Sequence, residues 1–144
     1  MSIDYENKAL SYFKNGFNCC EATLLVGCDI LGVSNTLVPR IATCFGGGIN
    51  GSGNVCGLYT GAMMTIGIKH GRDSFAESRE PANSKGREFH EFWIANMKNV
   101  DCRDLLDIDY PDTMTDPKDK KAYGTENCCR PMCAKVAKWL EENL

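Results

Sequence analysis

A run of glycines that leads directly into an apolar helix constrains this chain more than any other feature of its sequence. Five glycines lie between positions 46 and 53, and the residues from about Cys56 onward then favour a helix that ends at Gly71. The helix carries too many large apolar side chains for a surface helix; these are Met63, Met64, Ile66 and Ile68. The segment therefore predicts a glycine-rich loop followed by a buried central helix.

Glycines recur inside this predicted helix. Gly57 and Gly61 are four residues apart and so share one helix face, and Gly67 lies further along. Because glycine costs about 1 kcal/mol relative to alanine inside a helix, its repetition predicts that another backbone or a cofactor comes close. We therefore consider Gly57 and Gly61 candidate cofactor-binding residues. The alternative is a tight helix–helix contact beside a buried, inert cysteine.

Nine cysteines among 144 residues set the expected chemistry. The polar N-terminus, Met1 to Glu6, does not resemble a signal peptide, and no apolar run is long enough to span a membrane. We therefore expect a soluble, cytoplasmic protein with no membrane insertion. A reducing compartment disfavours structural disulfides, so many cysteines indicate metal binding or thiol redox chemistry. The net charge of −3 and the scattered basic residues argue against nucleic acid as a partner.

The hydrophobic periodicity predicts an all-α fold, with no strand-like alternation anywhere in the chain. We expect one domain, residues 1–144, built as a compact bundle of about five to six helices. The predicted helices cover residues 2–15, 19–31, 39–45, 56–70, 84–99 and about 130–144. The first should be capped by Ser2, the second by Asn18, and a short helical turn should follow Asp101 as its cap. Asp107 to Tyr123 is acidic and aperiodic, which indicates a surface loop.

Cysteines stand at the predicted starts of four helices: Cys19, Cys56, Cys102 and the stretch from Cys129 to Cys133. A helix start offers free backbone N–H groups and the positive end of the helix dipole, which favour a thiolate. If these helix starts converge, they would form a site for a soft metal. Cys129 and Cys133 lie on one helix face and could both serve one metal.

The spacings exclude several familiar sites. The chain has no Cys-x-x-Cys, so neither a zinc ribbon, a thioredoxin-type site nor covalently attached haem is indicated, and ferredoxin spacing is absent too. The two histidines are His70 and His90. His70 closes the central helix at the end opposite Cys56, which argues against a Cys–His catalytic dyad. Because no nucleophile–base pair is evident, the sequence does not predict an enzymatic activity.

Four segments of the chain carry a family resemblance. They are Asn18-Cys19, the run Gly53-Asn54-Val55-Cys56-Gly57-Leu58-Tyr59-Thr60-Gly61, the run Asp101-Cys102-Arg103-Asp104-Leu105-Leu106, and Cys133 with its following amphipathic helix. Together they resemble the C_GCAxxG_C_C family of small redox-active proteins, which has four characteristic cysteines and a Cys-Gly-Ala-x-x-Gly motif, although Leu58 replaces the alanine here. That family also resembles part of split-Soret cytochrome c, which carries an iron–sulfur centre. The resemblance implies that the redox or metal cysteines are Cys19, Cys56, Cys102 and Cys133, with Cys129 as the alternative to Cys133.

Three functions follow as hypotheses. The first is an iron–sulfur protein for electron transfer or redox sensing, with a redox partner that the sequence does not identify. The second uses the same cysteines for thiol–disulfide chemistry or for handling zinc or another soft metal. The third is a helical interaction module whose cysteines only pack. The roles of Cys20 and Cys128 stay open, and the glycine-lined central helix would also allow a homodimer.

Overall fold

Helices form the regular secondary structure of the part of the chain that the computed structural model describes, residues 2–107 and 125–144. The six α-helices are α1 (Tyr5–Lys14), α2 (Cys19–Leu31), α3 (Gly57–His70), α4 (Glu80–Met97), α5 (Cys102–Leu106) and α6 (Arg130–Asn143). A 3-10 helix, Arg40–Phe45, precedes the glycine loop, and a π-helical turn, Thr125–Cys129, precedes α6. The all-α prediction is confirmed, whereas the compact bundle and the single domain stay predictions.

The surface loop predicted at Asp107–Tyr123 lies, apart from Asp107, outside the described residues. Within the described ranges, no helix combines the length and apolar character that crossing a lipid bilayer requires.

Two helices begin at residues other than those predicted. α1 begins at Tyr5 because Asp4, rather than Ser2, supplies the cap: its carboxylate accepts a hydrogen bond from the backbone N–H of Asn7 at 3.0 Å. α4 begins at Glu80, one turn before the predicted start, since Pro81 suits the first turn of a helix. It ends at Met97, where Lys98 adopts a positive φ of 68°.

α2 begins and ends as the sequence predicts. The Glu21 N–H donates to Asn18 Oδ1 at 2.9 Å, and the Asn18 N–H donates to Glu21 Oε1 at 3.0 Å, which completes a capping box. Gly32 closes the helix in the left-handed conformation, with φ at 67°. Asn18 also donates from Nδ2 to the Thr43 carbonyl at 2.9 Å, so one side chain fixes both the start of α2 and the adjacent 3-10 helix.

We expect Asn18→Ala to lower the free energy of unfolding by about 1–2 kcal/mol, because it removes the cap and the tether to Thr43 together. Urea denaturation measures this change. Asn18→Ser is the matched variant, since serine caps almost as well but does not reach Thr43. Equal losses in the two variants would show that the cap contributes nothing, contrary to the prediction.

The main core lies where α3 and α6 pack against their neighbours. α3 contacts α2 and α4, and α6 contacts α1 and α2. Phe89 and Trp93 of α4 are fully buried, and Tyr59 of α3 contacts both rings at centroid distances of 5.5 Å. The indole N–H of Trp93 donates to the Asn99 carbonyl at 2.8 Å, so this buried polar atom is satisfied. The packing holds the starts of α2, α3 and α6 close together.

The α2–α3 interface explains most of the helical glycines. A Cβ at Gly57 would lie 2.8 Å from the Cys20 backbone nitrogen, and one at Gly61 would lie 2.8 Å from the Thr23 Cβ. The predicted close approach is therefore confirmed at these two positions. It is wrong at Gly67, where a Cβ would meet nothing within 4 Å. Residues 57–66 are buried or half-buried and Ile68 is 44% exposed, so α3 is in the core except at its last turn.

Candidate functional site

The glycine-rich loop adopts a left-handed backbone over five consecutive residues, 47–51. Their φ angles range from 51° at Asn50 to 71° at Gly48. Glycine adopts this conformation without strain, whereas Ile49, at 65°, is a β-branched residue that rarely does. Such a conformation costs about 1–3 kcal/mol and persists only where the surroundings enforce it. The loop is therefore held in shape by its contacts.

Hydrogen bonds from two sides hold this loop. Within it, the Asn50 N–H donates to the Cys44 carbonyl at 2.7 Å, and the Gly53 N–H donates to the Gly47 carbonyl at 3.1 Å. From α5, the Arg103 guanidinium donates to the Ser52 carbonyl at 2.9 Å and to the Gly53 carbonyl at 3.3 Å. These contacts attach the loop to the start of α5.

An isolated antiparallel bridge between Val55 and Asp101 brings two cysteines together. The Cys56 N–H donates to the Val100 carbonyl at 2.8 Å, and the Cys102 N–H donates to the Asn54 carbonyl at 2.7 Å. Cys56 is the N-cap of α3 and Cys102 is the first residue of α5, as predicted. The predicted side-chain cap by Asp101 is wrong, since that side chain makes no capping hydrogen bond and its backbone forms the bridge instead.

Four thiols line one cavity of about 430 Å³. We call them the cavity cysteines: Cys19, Cys56, Cys102 and Cys129. Each stands at the start of a different helix, and together they come from positions more than a hundred residues apart. The backbone of the glycine loop, at Gly46, Gly47 and Gly51, lines the same cavity. The structure thus brings together four of the five predicted metal-binding cysteines.

The fifth, Cys133, lies outside this lining. It is fully buried one turn into α6, and its sulfur lies 3.9 Å from the Thr23 hydroxyl on α2. Cys20 is also fully buried and accepts a hydrogen bond from the Thr60 hydroxyl at 3.5 Å. Cys128 contacts the Leu105 carbonyl at 3.9 Å. These three thiols are therefore not part of the cavity lining.

Burial disfavours the thiolate form of three of the four cavity cysteines. It raises the pKa of Cys19, Cys56 and Cys129. The backbone N–H groups of Gly47, Cys20 and Gly57 lower the pKa of Cys19. Their effect is smaller than the rise that burial causes. The expectation that helix starts would favour thiolates is therefore wrong at these three cysteines in the metal-free protein, because desolvation outweighs the backbone N–H groups. Metal binding must release these protons.

The chemistry of the donor set fits a thiolate-bound metal centre. Among residues 2–107 and 125–144, no three Cys, His, Asp or Glu side chains are close enough to hold a single ion. Four thiolates around one zinc would be about 3.8 Å apart, given a Zn–S bond of about 2.3 Å and a tetrahedral geometry. A cluster of several irons spreads its cysteine ligands more widely, and four thiols around one cavity are the donors it requires.

Gly57 and Gly61 take different positions relative to this cavity. A Cβ at Gly57 would collide with the Cys19 sulfur, so Gly57 makes room for a cavity cysteine. Gly61 is one turn further along α3 and packs against Thr23 and the Cys20 carbonyl. Contacts within the protein account for both glycines, and their contact with a cofactor stays a prediction.

Among the lining residues that sequence reasoning missed, Arg130 differs from the others in its charge. Within the described ranges, it is the one residue lining the cavity whose side chain carries a charge at neutral pH. Its signal in the sequence is its position directly after Cys129, at the start of the amphipathic last helix.

Residues 17–143 match the model of a protein family described as "Putative redox-active protein (C_GCAxxG_C_C)". The matched range contains all four cavity cysteines and Cys133. No match was found among curated proteins or among solved structures.

Proposed function

Because the chain belongs to the C_GCAxxG_C_C family, we propose that it binds an iron–sulfur cluster through the four cavity cysteines. We further propose that the cluster serves electron transfer or redox sensing. The observation that carries this proposal is the meeting of four thiols, each from a different helix start, around one cavity.

A bound cluster would supply one-electron redox chemistry at this site. The chain's own part is to hold and shield it. Cys56 and Cys102 are 5% and 6% exposed, so their side chains are kept largely away from water. Backbone N–H groups near Cys19, and that of Leu58 near Cys56, would stabilise the thiolates once their protons leave. The rigid glycine loop would close one side of the site.

The proposal takes Cys129 as the fourth ligand in place of Cys133. Cys129 is the N-cap of α6 and lines the cavity, whereas Cys133 has a buried environment of its own beside Thr23. A cytoplasmic location, which would keep the nine cysteines reduced, and a protein partner that exchanges electrons with the cluster are further parts of the proposal.

The test is metal and sulfide analysis of protein purified without oxygen. We expect a brown protein with comparable amounts of iron and acid-labile sulfide, and with visible absorption from thiolate-to-iron charge transfer. Cys44→Ser is the control, because Cys44 is exposed and outside the cavity lining, and this variant should keep its iron. Stoichiometric zinc without iron, or a colourless protein free of metal, would contradict the proposal.

A further inference from the structure

Arg130 has an unusual environment beside the cavity. Its Nη1 donates to the Glu126 carboxylate at 2.5 Å, one turn back along the chain. Its Nε is buried and, within residues 2–107 and 125–144, has no hydrogen-bond partner. An unsatisfied buried donor costs about 1–3 kcal/mol, and more on a charged group. Such a donor indicates a partner that is present when the protein is functional.

Arg130 lines two cavities: the one lined by the four cavity cysteines, and a second one that Lys14 and Glu126 also line. Thiols line the first and not the second, and no carboxylate or other cation is among the described residues that line the first. Glu126, which is exposed, forms an ion pair with the guanidinium. The guanidinium of Arg103, in α5, donates hydrogen bonds to the loop carbonyls of Ser52 and Gly53. A cluster held by four thiolates carries net negative charge, which Arg130 is placed to offset.

We propose that Arg130 is a positioning residue that donates its Nε–H to the sulfur of the bound cluster or of a cavity cysteine. By doing so it raises the reduction potential of the cluster, while Glu126 opposes it. This inference rests on the proposed function. Reduction adds one electron from an external low-potential donor, no bond forms or breaks, and the guanidinium stays protonated throughout.

Midpoint potentials of the intact, cluster-loaded protein test the inference. Arg130→Met removes the charge and the donor, so its potential should shift to a more negative value than that of the wild type. Arg130→Lys keeps the charge but loses the Nε–H, so its potential should lie between those two. Glu126→Gln should shift the potential in the positive direction. Lys138→Met, the same loss of charge at an exposed site on α6, should leave it unchanged.

The potential shifts expected for the Arg130 and Glu126 variants have opposite signs. This separates an electrostatic role from a structural one, because a less tightly packed site would shift both potentials in the same direction. Iron content is measured for every variant. If Arg130→Met does not bind iron, the directions of the potential shifts in Arg130→Lys and Glu126→Gln test the inference instead. Wild-type iron content with unchanged potentials, or shifts of the same sign, would overturn the inference alone. A wild-type protein without iron would overturn the proposed function, and this inference with it.

Discussion

Cys129→Ser is expected to lose iron and sulfide by more than about tenfold, since removing a ligand should cost at least as much as the 10–100-fold typical of residues that only support ligands. The reason is geometric: Cys129 lines the cavity together with Cys19, Cys56 and Cys102. Serine keeps the size of the side chain but is a poor ligand for iron. The measurement is iron and sulfide per chain after anaerobic reconstitution, with circular dichroism to verify that the helices persist.

Cys133→Ser is the matched control on the same helix, four residues further along. Its hydroxyl can keep the contact with Thr23, so we expect iron content close to that of the wild type and a loss of stability near 1 kcal/mol. The opposite pattern, with iron lost in Cys133→Ser and retained in Cys129→Ser, would show that Cys133 is the ligand. It would contradict the assignment drawn from the cavity.

Gly57→Ala is expected to have the largest effect on folding. The new Cβ would collide with the Cys19 sulfur and lie 2.8 Å from the Cys20 backbone nitrogen, which cannot move without shifting α2. Overpacking of this kind costs about 1–3 kcal/mol or more, which exceeds the gain of about 1 kcal/mol from helix propensity. Because α2 carries Cys19, we expect iron binding to fall as well. Urea denaturation and iron analysis measure the two effects.

Gly67→Ala is the control for helix propensity, since it makes the same substitution in α3 where the new Cβ meets nothing within 4 Å. We expect it to raise the free energy of unfolding by about 0.5–1 kcal/mol and to leave iron content unchanged. Stabilisation in both variants, or destabilisation in both, would show that the close contact at Gly57 is not what distinguishes the two positions.

Local signals in the sequence predicted the helices well where the capping chemistry is self-contained. Asn18, Glu21 and Gly32 define both ends of α2 through contacts within a few residues. The start of α3 near Cys56 and its end at Gly71 were also predicted, although Cys56 makes no side-chain capping hydrogen bond and its N–H donates to the distant Val100 carbonyl. Ser2 failed as a cap because Asp4 competes for the same role two residues later.

The composition of the site depended on contacts that no local pattern contains. The bridge between Val55 and Asp101 joins residues far apart in the chain and sets Cys56 beside Cys102. Cys129 and Cys133 lie on the same helix face by spacing alone. Only the packing of α6 on α1 and α2, after the π-helical turn, directs Cys129 to the cavity and leaves Cys133 against Thr23. Burial, which raises the thiol pKa values, is likewise a tertiary property.

An iron-edge anomalous difference map from a crystal grown without oxygen would test the central claim most directly. We predict iron peaks inside the cavity bounded by Cys19, Cys56, Cys102 and Cys129, with the Cys133 sulfur outside the ligand set. Iron coordinated anywhere else, or a cavity whose four sulfurs bind no iron in protein reconstituted with iron and sulfide, would contradict it.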